Sequence, residues 1–281
     1  MTSDKSIQSK AGSAYCIDCN KAVTTIQSHT LPINVISNKL GIFLKPRTEP
    51  SFRPWQHSTD DLIGTIAQYP YAMVNSDVEE TRARQQLALT SFKPWDGPID
   101  VTRSKARLQQ YFRTLDKLLF AASLKPYTTV NFSTKLGKSK YWGTTSLDRK
   151  STVDKPRVHI KISTKLETFD AGAPDRQGMA VLETLLHEMV HAFLMLFHCH
   201  CSDCLAGSIT TTGITGHGDA FVTLAEEISQ FTSKYLDDLE IQGLEDDVHN
   251  ELEALRKYTY ASLLRLDPAQ ARRDLHAAME A

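Results

Sequence analysis

The chain has 281 residues, 41% apolar and 23% charged, enough to bury a core in one or two domains. A net charge of -1 excludes a wholly basic nucleic-acid binder. The lack of any run of 18 apolar residues, and of an apolar segment near Met1, predicts an intracellular protein that neither spans nor crosses a membrane.

Residues 1 to about 98 are rich in Ser, Thr and Pro and show no sustained periodicity, which predicts a poorly ordered extension. Within it, "SFRPW" at Ser51 to Trp55 is echoed by "SFKPW" at Ser91 to Trp95. Such aromatic clusters could dock a partner, but buried aromatics more often pack, so they are expected to pin the extension onto the folded domain.

From Arg103, the spacing of Leu108, Tyr111, Phe112, Leu115, Leu118 and Leu119 predicts an amphipathic helix. Three β-rich stretches follow, at 128 to 133, 141 to 147 and 157 to 163. In the last, Val158, Ile160 and Ile162 alternate with Arg157, His159 and Lys161, which places His159 on a wet face rather than in a metal site. A helix apolar on nearly all sides is expected from about Pro174 to Phe197.

That helix carries His187-Glu188-Met-Val-His191. Four residues of α-helix advance ~6 Å and turn ~400°, so both imidazoles leave from one face and can share an ion. Glu188, rotated about 100° from His187, stands beside the open coordination position as a general base. A catalytic zinc needs a third protein ligand. A histidine six residues after His191, as in metzincins, is excluded because Phe197 stands there. His198 lies ~10 Å along the axis from His191. Glu226 and Glu227 are candidates from the helix marked by Phe221, Leu224, Ile228 and Phe231, but His217, flanked by Gly216 and Gly218, can bend back into the site more readily.

"VLETLLHEMVHAF" (Val181 to Phe193) and "GITGHGDAF" (Gly213 to Phe221) resemble the SprT-like zinc metallopeptidases, the family that includes the Spartan DNA-protein crosslink proteases, and its fungal members in particular share this wording. The resemblance covers about Arg103 to Tyr235. It implies an α+β zincin-like fold with a small antiparallel sheet packed on the HExxH helix, a zinc ion on His187, His191 and His217, and Glu188 as catalytic base. It further implies protein substrates, DNA as a partner and a nuclear location. Asp219 replaces the proline common after GHG, and no CxxC pair follows the domain, so neither the zinc ribbon of bacterial relatives nor a ubiquitin-binding finger is expected.

The predicted layout is thus an extension at 1–98, a metallopeptidase domain at 99–235 and an acidic, helical C-terminal extension at 236–281. A second zinc site could form from Cys199, Cys201 and Cys204 with Cys16 and Cys19, although free thiols are the simpler expectation. Ser133 to Lys165 holds nine Lys or Arg against two Asp, and Lys138, Lys140 and Trp142 in it could contact a phosphate backbone and stack a base. Leu236 to Glu253 holds eight acidic residues and no basic one, and is expected to fold over that basic face or form a polar exterior. The alternative to a peptidase is a DNA-associated zinc-binding module with weak or no protease activity.

Overall fold

The computed structural model describes residues 52, 54–55, 57–95, 99–136, 142–152, 155–164, 176–199, 211–213, 215–241 and 244–263. Three helices come first: α1 (Thr59–Val74), α2 (Glu79–Ser91) and α3 (Val101–Leu119). Strands β1 (Thr128–Ser133), β2 (Gly143–Leu147) and β3 (Val158–Ser163) follow, then α4 (Gln177–Phe197), α5 (Asp219–Tyr235) and α6 (Leu244–Leu263).

The α+β class holds, but the sheet is mixed rather than antiparallel. Its order is β1-β3-β2, with β1 parallel to β3 and β2 antiparallel to β3. The chain leaves β1, forms the outer strand β2, and returns through the middle as β3. Val158, Ile160 and Ile162 are fully buried, as their alternation requires, and both β2 and β3 pack on α4. His159 lies on the other face, with Nδ1 2.6 Å from Thr129 Oγ1 and Nε2 3.3 Å from Asp148. It takes no part in the metal cluster.

Helix α4 is the centre of the molecule. Almost every side is buried, against the sheet, α3, α1 and α5. By length and composition α4 could cross a membrane, yet its apolarity is accounted for by this burial. Its N-terminal end can pack closely because Gly178 has no side chain: a Cβ there would lie 1.7 Å from the Trp95 carbonyl oxygen.

Residues 52–95 depart from the expectation of a poorly ordered extension. Leu62, Ile66 and Tyr69 on α1 are buried, at the spacing of one helical face. Ser58 caps the helix by accepting from the Asp61 N–H. Both aromatic repeats pack, as expected. Phe52 meets Phe193 and Phe197, while Trp95 stacks on Tyr111 beneath the Arg107 guanidinium. The first repeat also closes the C-terminal end of α4, where carbonyls lack intrahelical donors. Trp55 Nε1 donates to Met195, and the backbone N–H groups of Trp55 and His57 donate to Leu196 and Phe197. Residues 1–50 lie outside the described residues.

The turn joining α3 to β1 has Ala121 and Ala122 in the left-handed region, at φ 56° and 57°, a conformation costly for a residue with a Cβ. Asp116 holds it by accepting the backbone N–H groups of Leu124 at 3.0 Å and Lys125 at 2.9 Å. Burial pushes the Asp116 carboxyl up to about 7, and these two donors act in the opposite direction. Because the carboxyl can shed its charge but the two amides cannot shed their need for an acceptor, Asp116→Ala is expected to cost about 2 to 3 kcal/mol. Urea unfolding of the variant measures it; an unchanged midpoint would assign the turn's stability to packing alone.

Candidate metal centre

The three histidines converge. His191 Nε2 lies 3.1 Å from His187 Nε2 and 3.0 Å from His217 Nε2, and the third edge of the triangle is 3.2 Å. Three nitrogens each ~2.0 to 2.1 Å from a tetrahedral ion would stand ~3.3 Å apart, so the donor set fits zinc. Burial pushes His187 down to about 3 and His217 down to about 4, and holds His191 well below the usual range. The imidazoles are therefore neutral, the form that ligates metal.

Two elements bring them together. His187 and His191 share a face of α4, as the spacing predicts. His217 comes from a loop that folds back on itself ahead of α5. Gly213 and Gly216 take positive φ, 85° and 92°, and a Cβ on Gly218 would lie 2.5 Å from the Gly213 nitrogen. Only glycine fits such turns and approaches. Phe221, on the first turn of α5, forms the floor: its ring stacks on His191 at 4.3 Å between centroids and meets His187 and His217 at 4.9 and 4.8 Å.

Glu188 is buried beside the cluster. Burial pushes its carboxyl up to about 8; Thr145 opposes the shift and Asp247 adds to it. Thr145 Oγ1, on β2, lies 2.6 Å from Glu188 Oε2 and 2.9 Å from the Glu188 carbonyl oxygen. Gly143, at the start of the same strand, lets β2 come this close: a Cβ there would stand 2.6 Å from Glu188 Oε1 and 2.8 Å from Thr184 Cγ2. The "YWGTT" stretch thus sets the position of Glu188, a role its β-rich pattern did not disclose.

Residues 108–243 match the model of the SprT-like family. This segment belongs to the SprT-like family. Searches of curated proteins and of solved structures returned no match. Membership agrees with the three-histidine cluster, and together they give the SprT-like domain a metal-binding, peptidase-like character.

The other candidates fall elsewhere. Glu226 is exposed on α5 and Glu227 half-buried, and neither joins the cluster. His198 follows the last residue of α4 in extended conformation, bridged to His57. Cys199 is buried, its N–H donating 2.8 Å to the His57 carbonyl, while Cys16, Cys19, Cys201 and Cys204 lie outside the described residues. So do Lys138 and Lys140; Trp142 is 43% exposed at the start of β2.

The acidic C-terminal segment is largely the polar exterior expected of it, with Asp237, Asp238, Glu240, Glu245, Asp246 and Glu253 exposed. Two of its carboxylates depart from that: α6 lies against the metal centre, with Asp247 facing His187 and His217 and Glu251 on the loop before His217. Its acidic composition was visible in the sequence, but no local signal pointed to this docking.

Proposed function

We propose that the chain is a zinc-dependent endopeptidase whose substrates are DNA-bound or DNA-crosslinked proteins. The observation that carries the reading is the triangle of three imidazole nitrogens with a buried carboxylate, Glu188, directly beside it. When bound there, zinc supplies a Lewis acid for a scissile carbonyl and lowers the pKa of a water. Glu188 accepts the proton of the attacking water and passes it to the leaving amine nitrogen. Thr145 orients that carboxylate, and the three histidines stay neutral throughout.

The position of β2 supports cleavage within a chain. It is one of the two edge strands of the sheet, and an extended peptide adding to it would run past Glu188. DNA as a partner is supported by the exposure of Trp142 at the head of the same strand, with Arg149, Lys150, Arg157 and Lys161 exposed nearby in sequence. A nuclear location rests on the family resemblance.

Purified chain should cleave a DNA-bound protein and lose that activity to a chelator. Trp142→Ala should weaken single-stranded DNA binding by about 1 to 3 kcal/mol through lost stacking, with the salt dependence little changed, and should leave hydrolysis of a short free peptide intact. Undetectable binding of single-stranded DNA at low salt would remove DNA from the reading and leave a peptidase that finds substrates by protein contacts.

A further inference from the structure

Helix α6 lies against the three-histidine centre on the side of His187 and His217. Asp247, in the first turn of α6, places Oδ1 3.6 Å from His217 Nε2 and Oδ2 3.6 Å from His187 Nδ1. Nε2 is the nitrogen that His217 turns toward the other imidazoles. The far nitrogen of that ring, Nδ1, already meets Thr215 Oγ1 at 3.1 Å. A carboxylate that merely oriented His217 from behind would sit at Nδ1, so Oδ1 stands on the metal side of this ring, while Oδ2 stands at Nδ1 of His187, behind a ring that turns Nε2 to the cluster.

Both Asp247 oxygens are too far from the histidines for a hydrogen bond, and Oδ2 is buried without a hydrogen-bond partner. A buried carboxylate oxygen left in that state is costly. A cation held by the three imidazoles supplies a positive charge beside this buried carboxylate.

The rest of α6 is arranged to deliver this residue. One turn further along, on the same face, buried Glu251 accepts the Thr215 N–H at 2.8 Å and also the Thr215 hydroxyl. Helix α6 thereby grips the loop that carries His217. Val248 and Leu252, by contrast, are 36% and 51% exposed, so the side turned to the body at this level is acidic rather than apolar.

We propose that Asp247 is a fourth protein ligand of the metal, and that α6 plugs the site and must withdraw before a substrate carbonyl can enter. A zinc site with four protein ligands is closed, whereas a catalytic one keeps a position open. The proposal rests on the metal-binding reading above, and its test separates the two.

Full-length chain loaded with cobalt(II) in place of zinc reports its coordination by visible absorption, and azide probes for an open position. Azide should leave the wild-type spectrum unchanged and shift the spectra of Asp247→Ala and Asp247→Asn, the second of which keeps the size of the side chain. Both variants should also hydrolyse a short unstructured peptide about tenfold faster or more, since an open minor state is populated to ~10% at most. An azide shift in wild type equal to that in the variants would overturn Asp247 as a ligand while leaving the three-histidine site intact. Failure of wild type to give any cobalt spectrum would overturn the metal reading itself, and the plug with it.

Discussion

Glu188→Gln is expected to keep stoichiometric zinc while peptide hydrolysis falls by about 10²- to 10⁴-fold, the usual contribution of a positioned general base. Glutamine matches the size of the buried side chain and can still meet Thr145 Oγ1, now 2.6 Å from Oε2, so β2 and α4 keep their fit around Gly143. It cannot take a proton. The three imidazoles project from other positions and are untouched. Metal analysis beside a peptide assay decides the matter: hydrolysis near the wild-type rate would remove Glu188 from the chemistry, and loss of zinc would make its role structural.

His217→Ala should have the other large effect, lowering zinc affinity by about 100-fold or more, the upper end of what even an outer-shell change can cost. Two imidazoles on one helix face remain, but the third corner of the triangle, 3.0 Å from His191 Nε2, is gone. Glu226→Ala and Glu227→Ala should keep full affinity, because neither carboxylate joins the cluster. Competition with a chromophoric chelator measures all three. Retention of zinc by the histidine variant together with its loss from either glutamate variant would assign the third ligand to α5.

Much of the centre was legible because its signals are local. The four-residue step from His187 to His191 forces both rings onto one face of any α-helix, and an unbroken apolar surface around α4 forces burial. The glycines around His217 mark a tight loop for the same reason, since a Cβ would block the turn. Strand β3 announced itself through the alternation of Val158, Ile160 and Ile162.

Elsewhere the local signal was present but obscured. Leu62, Ile66 and Tyr69 stand at helical spacing, yet Gly64 and Pro70 within the same helix argue against one, and α1 persists because its buried face packs on α5 and α3. Helix α2 has almost no buried side, so no periodicity could reveal it.

The sequence by itself determined the elements whose cause lies within a few residues: the HExxH pair, the apolar core helix, the glycine-bounded loop and the alternating strand. Tertiary structure alone decided what depends on approach between distant segments. It placed β3 between β1 and β2, set Thr145 and Gly143 against Glu188 some 40 residues away, and brought Asp247 and Glu251 to the centre at 3.6 Å from His217 and 2.8 Å from Thr215 N. Hydrogen bonds and ion contacts of this kind act over a few ångströms and are indifferent to separation along the chain, so a carboxylate on α6 carries no mark in the sequence of the histidines it will face.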